Sequence, residues 1–393
     1  MKARACSSSW TCWDGDVPAT IEQKVHPATT GEGSAHMERF TAVSPPRTVA
    51  TRRRSMILRR CVTLPAAMIG FPILVLVSPA LAVVTIIVDL VAAPRRFPTT
   101  RLLLAAVGYA AITVATQVCV AAVWAWSLFG LRNWHHANQD RLARMTRLWV
   151  AVVSRWFGST LGYRLEVEGD DLLVGGPLLV FARHQSIFDS FLAPLLVTRD
   201  GGLVIRVVLM RELRLEPNLD MVAHRAPHHF VERSGVNPEA EIEAIARLAT
   251  DLPTDCAVII FPEGRLFRPE VRARILARLE ASDPEAAARA RELDHLLPPR
   301  VGGPQALLEA APDGTDVVFV GHVGYEGLTD PRTLWRSIPL ALPIEVRAVR
   351  HGSEEVPVTH LDRIQWVHDR WREMDSWVGE RQARRRGLSC GGG

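Results

Sequence analysis

The chain has 393 residues, 48% of them hydrophobic and 22% charged, with a formal charge of +4 and a mean hydropathy just above zero. So much apolar material excludes disorder over most of the length. The charge argues against a nucleic-acid footprint spread over a folded face, because residues 1–60 hold ten Lys/Arg against five Asp/Glu and the remainder is almost neutral.

Lys2 and Lys24 are the only lysines, which removes a phosphate-binding loop of the Gly-Lys-Ser type, a Schiff-base lysine and a kinase strand lysine. Cationic work in the folded part falls to arginine. The six cysteines show no two-residue spacing, so zinc ribbons, thioredoxin-like sites and a disulfide framework are not expected. His224, His228 and His229 have metal-compatible spacing but no acidic or cysteine cluster beside them, and no metal is expected.

Residues 1–55 lack periodicity and are expected to form a disordered basic arm, with Met37 and Met56 as alternative starts. Residues 56–136 are expected to be a two-segment membrane anchor. Positions 61–88 and 102–131 carry no charged side chain, and about 20 apolar residues suffice to cross a bilayer. Pro65, Pro72 and Pro79 leave open whether the first segment spans or re-enters. Arginines flank both segments, and the positive-inside bias places the N-terminus and everything after residue 132 in the cytoplasm, although Arg95, Arg96 and Arg101 make the connecting loop basic too.

An amphipathic stretch follows from Asn138 to Gly158, with arginines opposite the apolar positions, as in a helix lying along lipid headgroups. Beyond it strand-like and helix-like pieces alternate. Strands are expected at Tyr163–Glu168, Pro177–Ala182, Leu203–Leu209, Cys256–Phe261, Asp316–Val320 and Ile344–Val349. Helices are expected at Ser186–Val197, Pro238–Thr250, Pro269–Glu280, Pro284–His295, Gly303–Ala310 and Leu361–Gly379. The pattern predicts an α/β domain over residues 137–380, with a mixed, mostly parallel sheet flanked by helices. Residues 381–393 read as a flexible basic tail.

Three constellations close apolar runs. In Arg183-His184-Gln185-Ser186-Ile187-Phe188-Asp189, Ser186 suits a helix N-cap with Asp189 three positions on. His184 would then sit in the strand-to-helix turn, where a histidine can take a proton near neutral pH and a carboxylate can hold its tautomer. Open α/β sheets bind ligands at such strand ends. The second, Phe230-Val231-Glu232-Arg233-Ser234-Gly235, offers an arginine fork suited to a phosphate. The third is Phe261-Pro262-Glu263-Gly264-Arg265, where proline ends the strand and glycine lets backbone approach a ligand.

Together the three resemble the glycerolipid acyltransferase family, the lysophosphatidic acid and lysophospholipid acyltransferases. Its signature is a His, four residues and an Asp; then an apolar run ending in Arg; then Phe-Pro-Glu-Gly. Leu297–Gly303 and Trp366–Trp371 look like the lysocardiolipin acyltransferase-like branch. The resemblance covers residues 137–380, and three positions depart from it. Arg183 stands where the family usually has Asn, Arg265 where Thr commonly follows, and the late motif Val317–His322 lacks a proline.

The resemblance implies a membrane-bound enzyme, its catalytic domain on the cytoplasmic face of the cell membrane. It would transfer an acyl group from acyl-CoA or acyl carrier protein to the hydroxyl of a lysophospholipid, 1-acylglycerol-3-phosphate first among them, with no cofactor beyond that co-substrate. His184 would be the general base, oriented by Asp189. Arg233, helped by Arg265, would bind the acceptor's phosphate, and Glu263 and Gly264 would shape that pocket. The alternatives are an enzyme acting on glycerol-3-phosphate or a glycolipid, and a catalytically silent lipid-binding membrane protein.

Overall fold

The computed structural model describes residues 46–126, 136–199, 202–223, 228–231 and 238–390. Its first two elements are long helices, α1 (Pro46–Ala92) and α2 (Pro98–Trp126). Both are long and apolar enough to cross a membrane. The most apolar stretch of α1 is buried nowhere against the protein, and Leu76 and Val91 are more than four-fifths exposed. Pro65, Pro72 and Pro79 lie inside α1 at seven-residue intervals, so they share one face. The helix reaches back to Pro46, into the stretch expected to be an unstructured arm. Once a long apolar helix exists, extending it by a residue is far easier than nucleating it, and proline is tolerated in the first turn.

Two places along the pair of apolar helices, one within α1 and one at the α1–α2 turn, contact the rest of the protein. At the first, Arg59 and Arg60 grip the buried Asp220, Arg60 through Nε at 2.6 Å. At the second, Arg96 donates to the carbonyls of Ile338 (3.0 Å) and Arg336, and Arg101 to that of Thr160 at 3.1 Å. Asp89 caps the start of α2 by accepting from the amides of Thr99 and Thr100 at 3.0 and 2.8 Å. A straight helix between Arg59 and Arg96 would run about 55 Å, so α1 lies along the domain. The turn between the two apolar helices therefore lies against the rest of the protein, which gives Arg96 and Arg101 their carbonyl partners.

The amphipathic α3 (His136–Leu161) connects anchor and domain. It buries Trp149, Val150 and Val153. Trp156 packs on α2 at Gly108, where a Cβ would come within 2.0 Å of the indole. No larger residue fits without separating the helices.

The domain then runs β1 (Leu165–Glu168), β2 (Leu178–Ala182), α4 (Leu192–Arg199), β3 (Val204–Met210), α5 (Pro217–Ala223), β4 (His229–Val231), α6 (Pro238–Ala249) and β5 (Cys256–Ile260). After these come α7 (Pro269–Ser282), α8 (Pro284–Arg291), α9 (Gly302–Ala310), β6 (Asp316–Val323), α10 (Pro331–Ser337), β7 (Ile344–His351) and α11 (His360–Cys390). The seven strands lie in the order β1-β7-β6-β2-β5-β3-β4, and only the β6–β7 pair is antiparallel. The expected mixed, mostly parallel sheet is present.

Central strands are buried on both faces and alternate between two cores. Leu178 and Val180 of β2, Ile259 of β5 and Val318 of β6 face one core, with Leu192 and Leu196 of α4. Leu179, Phe181, Val258 and Phe319 face the other, with Leu248 of α6, Leu307 of α9 and Trp371 of α11. Each such Val, Leu or Phe contributes roughly 1.5–3 kcal/mol on burial, so the middle of the sheet is its most rigid part.

Three elements were absent from the expected set: α5, β4 and α10. All are short, and each is held by distant partners or by a cap. Asp330, for instance, accepts from the amides of Arg332 and Thr333 to start α10. The expected flexible tail is also helical as far as Cys390, because Arg381 and Arg385 pair with Glu345.

Candidate active site

β2 ends at Ala182, and the next residues carry the site. Ser186 caps a short 3-10 turn, Ile187–Phe191. Its hydroxyl accepts from the Phe188 amide at 3.3 Å, and Asp189 accepts from the Ser186 amide at 2.7 Å. This reciprocal cap folds Asp189 back over the strand end. His184 Nδ1 and Asp189 Oδ1 are 2.7 Å apart, with the carboxylate wholly buried. The spacing that suggested a pair has made one.

Strand register brings two further groups level with His184. β2 pairs with β5 as Phe181 with Ile260, so three residues on His184 meets Glu263. The Glu263 carboxylate accepts from the His184 amide at 2.8 Å and from the Leu297 amide at 3.2 Å. On the other side β2 pairs with β6 as Ala182 with Val320, so two residues on His184 meets His322. His322 Nε2 lies 3.2 Å from the Arg183 carbonyl and 3.4 Å from Asp189 Oδ2. The Phe261 ring covers the His184 imidazole at 4.6 Å between centroids.

Asp189 thus receives His184 on one oxygen, and the amides of Gln185 and Ser186 with His322 on the other. Burial alone would push its carboxyl up, but the two imidazoles hold it well below the usual carboxylate range. It stays ionised and acceptor-only, which fixes His184 Nδ1 as the donor nitrogen. Nε2 is then the ring atom that can take a proton from a substrate.

Arg183 is fully buried and donates to the carbonyls of His322 and, at 3.1 Å, His295. Burial draws its guanidinium below the ordinary value, against the opposing pull of Glu326, Glu263, Asp189 and Asp375. Asp375 of α11 in turn accepts from the amides of Asp294, His295 and Leu296. The cation ahead of the histidine therefore ties β2, β6 and the 294–297 loop into one corner.

The residues expected to meet the acceptor are distributed differently. Glu263 is buried among backbone amides, and burial pushes its carboxyl up to about 7. Gly264 has φ +64, and a Cβ there would sit 3.1 Å from the Arg300 side chain that covers it, so glycine permits both turn and cover. Arg265 is exposed, with no hydrogen bond or ion pair among the described residues. Arg233 lies outside the described residues, two positions past the end of β4.

Among the described residues no group of His, Cys, Asp and Glu could hold a metal ion. His228 accepts from the Val207 amide and His229 pairs with Glu241, while His224 lies outside the described residues. The sequence reading missed His322 and the brace of Arg183 and Asp375. A lone histidine closing the apolar run Val317–Val320 was the available signal.

Fold and site define an α/β domain, preceded by two helices long and apolar enough to cross a membrane, built around a buried His–Asp pair at the C-terminal edge of its sheet. Residues 164–318 match the family model described as Acyltransferase. The chain is similar to lysocardiolipin acyltransferase 1 of Gallus gallus, 22% identical over 249 residues that make up 62% of this chain and 63% of that protein. It is also similar to lysophosphatidylinositol acyltransferase 10 of Caenorhabditis elegans, 21% identical over 254 residues, 60% of this chain and 61% of the relative. The chain therefore spans less than two thirds of the length of either. Among solved structures it is similar to the 1-acyl-sn-glycerophosphate acyltransferase PlsC of Thermotoga maritima, with a TM-score of 0.42 and 15% identity over 71% of this chain and 98% of that one. Over residues 164–318 the chain is thus similar to the acyltransferases, and both curated relatives are acyltransferases of lysophospholipids.

Proposed function

We propose that the protein is a membrane-bound O-acyltransferase that moves a fatty acyl group from an acyl thioester to the free hydroxyl of a lysophospholipid, with 1-acylglycerol-3-phosphate as the acceptor to test first. The observation that carries this is the 2.7 Å contact between His184 and a wholly buried Asp189 at the end of the central strand. Both named relatives are acyltransferases, which supports the same chemistry.

In this reading the acceptor hydroxyl attacks the thioester carbonyl while His184 Nε2 takes its proton. Asp189 stabilises the imidazolium. The tetrahedral intermediate collapses with cleavage of the C–S bond, and His184 returns the proton to the leaving thiolate of coenzyme A or acyl carrier protein. An ester forms, a thioester breaks, and no protein nucleophile intervenes. General-base catalysis of this kind contributes about 10²–10⁴-fold.

Arg233 follows β4, three strands from β2, or about 14 Å at the usual strand spacing. An arginine side chain plus the glycerol between phosphate and hydroxyl bridges that gap, so Arg233 grips the phosphate while His184 meets the hydroxyl. Arg265, exposed just beyond the third motif, assists. The anchor and turn share the domain's side of the membrane, the cytoplasmic face of the cell membrane, so substrate reaches the site from within one leaflet.

The test is acyl transfer by the purified full chain with acyl-CoA and acyl carrier protein donors against a panel of lysophospholipids, glycerol-3-phosphate and glycolipids. Wild type should acylate 1-acylglycerol-3-phosphate, and His184→Ala should not. Equal transfer by both proteins would end the enzyme reading.

A further inference from the structure

Away from His184, a cavity of about 410 Å³ opens between the α1–α2 turn, α10 and the far end of α11. Its cations come from three distant parts of the chain: Arg96 of the turn, Arg336 of α10 and Arg385 of α11. Leu340 and Leu342 give it an apolar wall, and Glu326 is the one acid lining it among the described residues. The Glu326 carboxylate is already engaged by the Gly324 amide at 2.7 Å and the Gln382 side chain at 3.0 Å.

The arginines are not equally occupied. Arg385 pairs with Glu345, and one nitrogen of Arg96 donates to two carbonyls. Arg336 is exposed, with no side-chain hydrogen bond or ion pair among the described residues. Arg96 follows the end of α1 by four residues, and Val91 on that last turn is 84% exposed. The cavity therefore opens where the exposed apolar surface of α1 stops.

The geometry points to a binding site for the headgroup of an anionic phospholipid, separate from the acyltransfer site. The phosphodiester would meet Arg336 and Arg96, and the start of the glycerol backbone would lie along Leu340 and Leu342. A soluble anion would use the cations but has no use for the apolar wall or for a mouth beside exposed anchor side chains. This assignment rests on the membrane placement proposed above and is independent of the chemistry at His184. The cavity also lies on the turn whose Leu328 carbonyl accepts from Ser186 at 2.7 Å, so a bound headgroup steadies one support of the catalytic cap.

The experiment uses the full chain in neutral detergent and follows its melting temperature as short-chain phosphatidylglycerol or short-chain phosphatidylcholine is titrated. Phosphatidylglycerol should raise the melting temperature saturably, and phosphatidylcholine should not. Arg336→Gln should weaken the apparent affinity roughly five-fold, the effect of about one interfacial arginine, and Arg336→Lys should restore most of it. Arg332→Gln, an exposed arginine of the same helix outside the cavity, should match wild type. His184→Ala should bind as wild type does, so loss of acyl transfer cannot be mistaken for loss of this site. Equal responses from wild type and Arg336→Gln would overturn the assignment. So would inorganic phosphate producing the same rise as phosphatidylglycerol, since that would make the cavity a free-anion site.

Discussion

At the centre of the sheet, Asp189 meets two imidazoles and two backbone amides, and the strand beneath it is buried on both faces. At the flank, β4 is three residues long, Arg233 lies beyond its end, and Arg265 is exposed with no partner among the described residues. The atoms that must move a proton are held from every side. Of the groups assigned to the acceptor's phosphate, Arg233 follows the edge strand, and Arg265 is an exposed side chain just past the third motif. A proton transfer tolerates little misplacement, whereas a phosphate can be met by an arginine with several rotatable bonds. Variation in acceptor is therefore expected to arise at the flank, with the centre unchanged.

The largest effect that would break this contrast is at the centre. His184→Ala and Asp189→Asn should each lower kcat by about 10²–10⁴-fold, with acceptor KM little altered. Steady-state kinetics on 1-acylglycerol-3-phosphate checks both, and a change confined to KM would mean the pair binds rather than catalyses. Next in size is the flank. Arg233→Ala removes a charge-assisted contact worth about 1.5–3 kcal/mol, so acceptor KM should rise roughly 10–100-fold while donor KM holds. Arg265→Ala should do the same more weakly. An effect on the donor alone would reverse the assignment of ends.

A smaller effect is expected at His322, a positioning residue that acts through Asp189. His322→Ala should cost about tenfold in kcat, the lower bound for losing a hydrogen bond to a charged group. His322→Gln, which can still donate, should recover part of that loss. If Ala and Gln variants were equally impaired and equally destabilised, His322 would only fill space.

The central strands were legible because a strand buried on both faces must be a continuous apolar run, and Leu178–Ala182 and Cys256–Ile260 are such runs. The His184–Asp189 pair was legible because its geometry is local, set by the Ser186 cap. Register is not local. Nothing in the sequence says that β6 aligns with β2 so that His322 stands level with His184, or that β5 brings Glu263 beneath its amide. The anchor's path was hidden for the same reason: Arg59, Arg60 and Arg96 read as flanking charges until their partners Asp220 and the Arg336 and Ile338 carbonyls are in place.

Glu263 offers the subtlest way to sharpen the contrast, because it belongs to the central corner yet titrates near neutrality. Folded, burial keeps it protonated up to about pH 7, against an ordinary value of 4.5. Between those values the folded chain binds more protons than the unfolded one, so stability contributed by this group is lost as pH rises through the window. The full difference corresponds to about 3 kcal/mol. His228, which burial holds down to about 4 against an ordinary 6.5, acts in the opposite sense across most of the same window, and the Asp189 carboxyl titrates below it. Both are present in wild type and in Glu263→Gln, so the difference between the two melting curves isolates Glu263. Wild type should lose melting temperature relative to Glu263→Gln as pH is raised from about 4.5 to about 7, then run parallel to it. A difference that stays flat across that range would mean Glu263 is ionised throughout. It would then be a fixed acceptor for the His184 and Leu297 amides, with no proton to release.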